Sequence, residues 1–346
     1  MSKTRQCISW FIKICQEKLE LPENSRYLMT MFSNQPLILA PMAGITDSPF
    51  RQLAKKFGAD LVVTEMISAR GLIQDDRKTK AMLSFQPSEQ PLIAQLFGRD
   101  PEILRAAALK ALDAGAACID INMGCPVKKV IKTGAGAALL KDLNQIKKIL
   151  QTLSQPTKIP YTIKIRAGWD HTDLNAGTIF QLAADHGAKA VFCHPRTATM
   201  MFGGTADWDY LEEAASQTTI PIIGSGDITT PIEARQALSR VGIAGLMLGR
   251  GALGKPWLFR DTKSFLQYGE MTTIDWSEKF ATILHHWKLL EHHKGKHTGF
   301  LLFRKHLVWY SRGLPGAAAF RQQIFSSSNK EGLTDLIHTF FDPLIT

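Results

Sequence analysis

Asn122 and Cys125 lie close together in the stretch Ile119-Asp-Ile-Asn-Met-Gly-Cys-Pro-Val127. The apolar run reads as a strand that delivers an amide, then a thiol, into a turn bent by Gly124 and Pro126. An amide at a strand tip followed by a thiol on a loop is poor core material and good active-site material. The pattern gains specificity because Pro41-Met42-Ala43, Gln95, Lys164, His194, Ser225-Gly226-Asp227 and Gly249-Arg250 all end comparable runs.

Each of these groups admits two readings. Lys164 ends Tyr161-Thr-Ile-Lys-Ile-Arg166, and a cation aimed into an interior must be paired or used, because burying it alone is costly. It either neutralises the anionic ring of a reduced flavin or makes a structural ion pair with Asp120 or Glu65. Gln95 either pairs with the edge of a heterocycle or caps a loop. His194, in His194-Pro-Arg-Thr197, reads as a phosphate or substrate contact with Arg196 beside it, against the usual fate of a lone histidine as a satisfied core donor. Gly224-Ser-Gly-Asp227 and Gly249-Arg-Gly251 are either plain turns or paired loops whose backbone N–H groups approach a phosphate. Cys118 and Cys193 fall inside predicted strands and read as inert core; Cys125, beyond a strand end, reads as functional.

Eight elements must position these groups. The runs Leu37–Ala40, Leu61–Thr64, Leu92–Leu96, Cys118–Asn122, Tyr161–Ile165, Ala190–His194, Ile220–Gly224 and Gly245–Leu248 alternate with segments such as 101–114 and 144–153 that carry apolar residues at helical spacing. That alternation predicts an α/β fold, a closed (β/α)8 TIM barrel, whose active sites lie at the C-terminal strand ends where every unusual residue falls. A doubly wound open sheet is the alternative, but no Gly-x-Gly-x-x-Gly follows the first strand.

The strand signal stops past residue 262. Asp275-Trp-Ser-Glu278 resembles a capping box, Ile283, Leu284, Trp287 and Leu290 form a helical stripe, and Gly295 and Gly299 bracket a turn before a second helix from Leu301 to Tyr310. Residues 279–321 hold eight Lys or Arg and six His against one acid, Glu291. Interleaved with Trp287, Trp309 and Tyr310, these read as a nucleic-acid surface or as a solvated helix face. The expected organisation is an N-terminal extension (1–34), a barrel (35–261) and a small C-terminal helical domain (262–346).

Bulk properties agree. A chain of 346 residues that is 45% apolar can bury a full core, and a formal charge of +10 with pI near 9.4 suits a polyanionic partner. Five scattered cysteines suit a reducing, cytoplasmic setting with neither a disulfide framework nor a metal cluster. No apolar run approaches the ~20 residues of a membrane span. The patch from Ile8 to Cys15, broken by Lys13, is too short for a secretory signal; it reads as a frayed amphipathic helix or dispensable upstream sequence, with Met29 or Met31 as possible starts.

Ala40-Pro-Met-Ala-Gly-Ile-Thr-Asp47, Gln95-Leu-Phe-Gly98, Asn122-Met-Gly-Cys-Pro126, Lys164-Ile-Arg-Ala-Gly-Trp169, His194-Pro-Arg-Thr197 and Gly249-Arg-Gly-Ala252, in that order, resemble the tRNA-dihydrouridine synthases, with wording closest to the bacterial B-type branch. The resemblance implies FMN in the barrel, NADPH as reductant, and reduction of the uracil C5–C6 bond in folded tRNA; separately, a monomer without a metal is expected. It implies that Pro41, Met42 and Ala43 lie along the flavin and that Gln95 and Lys164 bond its ring. His194, Ser225, Gly226, Asp227, Gly249 and Arg250 would hold the phosphate end. Asn122 would orient the uracil and Cys125 protonate it. Apart from the resemblance, Arg166 and Arg196 at the rim are expected at the substrate, and the density of basic residues in 279–321 makes Lys288, Arg304, Lys305 and Arg312 the expected RNA contacts. Two positions depart from the family pattern: Ser225 stands where an Asn is usual, and Pro195 where a Gly is usual. A flavin reductase of small pyrimidines, or a tRNA-binding protein without catalysis, are the competing expectations; the basic tail argues against the first, and Lys164 with Cys125 against the second.

Overall fold

The computed structural model describes residues 30–32, 34–154, 159–271 and 273–345. The patch from Ile8 to Cys15 and Met29 lie outside the described residues.

Eight parallel strands form the barrel: β1 (Leu37–Leu39), β2 (Leu61–Val63), β3 (Leu92–Phe97), β4 (Cys118–Asn122), β5 (Tyr161–Arg166), β6 (Val191–His194), β7 (Ile222–Ser225) and β8 (Ile243–Leu248). Pairing of β1 with β8 and of β2 with β3 closes it. A two-residue strand, Ile67–Ser68, adds to the end of β3. Helices follow the strands in turn: α1 (Ser48–Lys56), α2 (Ala69–Ile73), α3 (Pro101–Asp113), α4 (Leu143–Ser154), α5 (Ala176–Asp185), α6 (Trp208–Ser216), α7 (Pro231–Leu238) and α8 (Leu258–Tyr268). Their starts are written locally. Asp47, Asp100 and Asp207 accept from N–H groups in the first turns of α1, α3 and α6, and Thr230 with Glu233 makes a full capping box on α7.

The eight expected runs match the strands to within two residues. Closure abolishes edges and sorts the side chains by height. Low in the barrel, Ile38, Val63, Ile93, Phe192 and Met247 form an apolar plug, and Phe32 packs against it with its ring 6.0 Å from that of Phe192. Higher up, the register pairs Gln95 with Asp120, Asp120 with Thr162, Asn122 with Lys164 and Arg166 with His194. Side chains two residues apart share a face of a strand, so the polar groups gather at one end.

Four further helices pack into a second core: α9 (Trp276–Lys294), α10 (Lys296–Tyr310), α11 (Ala317–Ser326) and α12 (Lys330–Phe341). The expected boundary at 261/262 falls inside α8. Asp275 caps α9 as expected, accepting from the Glu278 N–H at 2.7 Å. The reciprocal half of the capping box is not made, because the Glu278 carboxylate turns to Arg260 at 2.8 Å. The turn between α9 and α10 is Gly295 alone, and α10 begins five residues before Leu301. Gly299 sits within it because the two helices cross there: a Cβ at 299 would lie 2.8 Å from the Glu291 Cα. Ile283, Trp287 and Leu290 are buried and Leu284 packs beside them, as the stripe requires.

Candidate active site

At the polar end of the barrel, four side chains and two backbone N–H groups form one hydrogen-bonded chain. Thr162 donates to Asp120 Oδ1 at 2.8 Å, and Gln95 Nε2 donates to Asp120 Oδ2 at 2.7 Å. Asn122 Nδ2 donates to Gln95 Oε1 at 2.9 Å. Asn122 Oδ1 accepts from the Gly124 and Cys125 N–H groups at 3.3 and 2.9 Å. Gln95 is therefore neither a loop cap nor free for bonding through its whole amide. It links Asp120 to Asn122, and Asn122 sets the turn that carries the thiol. Burial pushes the Asp120 carboxyl up to about 6, against the opposing bonds from Gln95 and Thr162 and the Lys164 charge. Asp120 and Thr162 join the site without a motif of their own. The signal that could have found them is their place two residues before Asn122 and Lys164, on the same strand faces.

Arg166 fixes Cys125 from the other side. Its guanidinium, buried, donates to the Gly124 carbonyl at 3.1 Å and the Thr197 carbonyl at 2.7 Å, which ties the thiol loop to the loop after β6. The half-buried Cys125 thiol is held above its ordinary pKa by burial, against the pull of the Val127 N–H and the Arg166 and Lys164 charges. It is a protonated thiol at neutral pH, the opposite of what a cysteine nucleophile needs.

Lys164 makes no ion pair among the described residues. Asp120 is engaged by Gln95 and Thr162, and Glu65 accepts from the Gly44 N–H. Burial lowers the Lys164 pKa, Asp120 opposes that, and Arg166 adds to it. An ammonium with this surplus at a barrel mouth suits an anionic ligand.

The loops after β6, β7 and β8 lock together. Arg196, buried, donates to both Asp227 oxygens at 2.8 and 2.7 Å, to the Gly203 and Gly204 carbonyls, and to His194 Nε2 at 3.0 Å. A guanidinium only donates, so His194 Nε2 accepts and the ring proton sits on Nδ1. Burial, then the Lys164, Arg166, Arg196 and Arg250 charges, lower the His194 pKa to about 2, so the ring stays neutral. Arg196 thus holds His194 and Asp227 rather than reaching the open mouth. Burial would raise the Asp227 carboxyl, but the Ala206 N–H and Arg196 outweigh it and hold it below its usual value.

Gly226, at φ +127°, leaves no space for a side chain, since a Cβ would meet Ala206 at 2.8 Å and His194 at 3.0 Å. Gly251 packs on the Ile228 carbonyl, which joins the β7 and β8 loops. Gly249 faces Ala40 and Met42, and Arg250 is exposed. Pro41 and Met42 are half-buried and Ala43 is exposed beside this opening. Ser225 Oγ donates to the Cys193 carbonyl at 3.3 Å within the sheet, so its hydroxyl is engaged away from the mouth. Pro195 is buried, and its carbonyl accepts from the Asp207 N–H at 2.7 Å. The donor set fits a phosphorylated ligand with a second electron-rich group: a lysine without an ion pair among the described residues at one end, and glycine backbone with the exposed Arg250, which leans on Asp227 at 3.5 Å and the Phe202 carbonyl at 3.4 Å, at the other.

The four tail residues divide. Lys288 and Arg312 are exposed. Arg304 donates to the Phe325 and Ser327 carbonyls at 3.4 Å, closing the end of α11, and lies over the Phe300 ring. Lys305 donates to the Gly44 carbonyl, so α10 is bonded to the loop that follows β1. Of the six histidines in 279–321, His286 and His306 are buried in the seam against Phe50 rather than displayed on a basic surface. If the tail meets RNA phosphates as the sequence leads one to expect, replacing Lys288 by alanine reduces the steepness of RNA affinity against salt by ~0.7–0.9, the share of one neutralised phosphate. Replacing Lys305 is expected to change the slope less. A salt titration of the two variants checks the ordering.

A family model described as dihydrouridine synthase (Dus) matches residues 38–343. The chain is 38% identical to a probable tRNA-dihydrouridine synthase of Rickettsia bellii, covering 89% of this chain and 95% of that protein. It is 37% identical to the tRNA-dihydrouridine synthase B of Pseudomonas aeruginosa, covering 88% and 92%. Among solved structures it is similar to an old yellow enzyme homologue from Zymomonas mobilis, with TM-score 0.50 and 13% identity over 69% of this chain and 90% of that one. It is also similar to a 6-hydroxypseudooxynicotine amine oxidase from Pseudomonas geniculata, with TM-score 0.51 and 12% identity over 68% of this chain and 47% of that one. At such identities the structural likeness concerns the barrel fold.

Proposed function

The chain belongs to the dihydrouridine synthase family, and on that premise we propose that it reduces the C5–C6 bond of specific uridines in the D-loop region of tRNA to 5,6-dihydrouridine, with FMN in the barrel mouth and NADPH as reductant. The observation that carries the reading is the protonated Cys125 thiol, held by Asn122 and Arg166 at the same strand ends as the unpaired Lys164 ammonium.

FMN, when bound, supplies hydride to C6 of the uracil. Lys164 would favour negative charge on the flavin ring, and the Gly226, Gly249 and Arg250 region would hold the phosphate. Hydride at C6 leaves enolate character toward C5, where Cys125 delivers its proton. The Lys164 and Arg166 charges that oppose the rise in the thiol pKa then stabilise the thiolate left behind. Asn122 Nδ2 gives one hydrogen to Gln95 and has a second for the uracil edge. The base must leave its stack to reach this mouth, which favours loop nucleotides. The helical region 262–346 is the proposed RNA-binding part.

Two measurements test this. The purified protein is expected to be yellow and to release FMN on denaturation; a colourless protein that does not take up added FMN overturns the cofactor assignment. Dihydrouridine mapped across tRNA from cells lacking the protein is expected to be missing at one or a few positions and restored by the wild-type chain. An unchanged map overturns the activity.

A further inference from the structure

An aromatic concavity lies in the seam between barrel and tail, lined by none of the residues that form the catalytic mouth. It is a cavity of about 360 Å³ whose walls include Trp257, just before α8, Trp276, Trp309 and Tyr310 from the tail, and Thr229 and Thr230 from the loop after β7. That size is at the lower end of small-ligand pockets, ~300–1,000 Å³. Trp257 and Tyr310 are stacked, their rings 6.3 Å apart and 26° from parallel. Lys279 Nζ sits 4.4 Å from the Trp276 ring centre and 5.9 Å from that of Trp257. Lys255 and Arg312, both exposed, line the same space, against a single carboxylate, Asp261. Thr229 is two residues beyond Asp227, so the pocket adjoins the loops that close the catalytic mouth.

Flat indole faces bind bases of any sequence, and adjacent cations bind the linking phosphates. A small apolar metabolite has no use for three cations, and a protein side chain has no use for a wall of aromatic rings with a positive rim. We propose that this seam pocket holds one unstacked nucleotide of the RNA substrate, other than the uridine being reduced, with the base against Trp276 and Trp309 and its phosphate at Lys279 and Arg312. The proposal rests on the tRNA-modifying function and adds a second point of attachment to it. Two anchors, one at the reacting base and one at the seam, fix the RNA's rotation about the mouth, and so select which uridine can enter.

Thr273 is exposed at the pocket and makes no hydrogen bond among the described residues, so Thr273→Trp fills the space without breaking an existing bond. The expected result with unmodified tRNA transcript is a roughly tenfold or greater loss of affinity, with flavin reduction by NADPH at the wild-type rate. Lys279→Ala is expected to weaken tRNA binding, and Lys279→Arg to restore it. Wild-type tRNA affinity in a folded, yellow Thr273→Trp protein overturns the proposal. A raised KM for NADPH with unchanged tRNA affinity also overturns it, and reassigns the pocket to the reductant. Failure of the wild-type protein to bind tRNA at all would sink the functional reading instead, so the two failures are distinguishable.

Discussion

Cys125→Ala is expected to lower dihydrouridine formation by about 10²–10⁴-fold, the usual worth of a positioned general acid, and to leave reduction of the flavin by the proposed NADPH intact. The split follows from geometry. Cys125 shapes its loop through backbone groups, its N–H to Asn122 and its carbonyl to the Ala137 N–H at 3.0 Å, and alanine keeps both. Only the proton is lost. A stopped-flow measurement of the two half-reactions separates the outcomes: if the oxidative half-reaction with tRNA runs near the wild-type rate, another group or water supplies the proton. Because burial raises the thiol, the activity of the wild type is expected to persist to higher pH than an ordinary thiol acid would permit, and to fall only as Cys125 ionises.

The second large effect is on stability. His286 and His306 are buried at the seam with ring centres 4.4 Å apart, and His286 Nδ1 lies 3.0 Å from the Tyr310 hydroxyl. Burial, then nearby His285 and Lys305, lower the His286 pKa to about 3, and burial holds His306 well below its ordinary value. Above pH ~6.5 both residues are neutral folded or unfolded, and neither contributes a pH dependence. Below it the unfolded chain takes up protons that the native seam refuses, so stability falls as pH drops from ~6.5 toward 3. The slope is up to about 1.4 kcal/mol per pH unit for each histidine. Asp47 and Asp120, pushed up to about 6, act in the opposite sense over part of the same window. The comparison that isolates the effect is His286→Gln against wild type. The difference in their unfolding free energies is expected to shrink or invert on acidification from about pH 7 to about pH 4. Parallel curves would mean that the seam accepts the proton.

The barrel is legible in the sequence because short β-branched runs and helical segments alternate eight times, and because the polar residues that break those runs all fall at the same ends. What periodicity does not supply is partner choice. Gln95, Asn122 and Lys164 are recognisable as inward-facing groups at the mouth, but whether Gln95 bonds a ligand or a neighbour depends on register across three strands. Register is a tertiary quantity. Arg196 and Lys305 illustrate the same limit, since a basic residue in a rim motif and one in a basic tail look alike in sequence whether they face solvent or a carbonyl. Gly299 carries a turn signal in sequence, yet the glycine serves a close helix crossing, which depends on a segment eight residues away.

The buried run from Thr162 through Asp120 and Gln95 to Asn122 also constrains how this protein can drift. Each member satisfies the next, so changing one strands a polar atom in a dry interior, at a cost of about 1–3 kcal/mol. A compensating change at the neighbour recovers much of it. Substitutions at the four positions should therefore be strongly epistatic: singly harmful, tolerated in matched pairs, and not predictable by adding their separate effects. Asp120→Asn and Thr162→Val make a pair whose coupling can be measured in a double-mutant cycle. The route to a mouth that takes a different ring thus runs through joint replacements along the chain, and not through Asn122 alone.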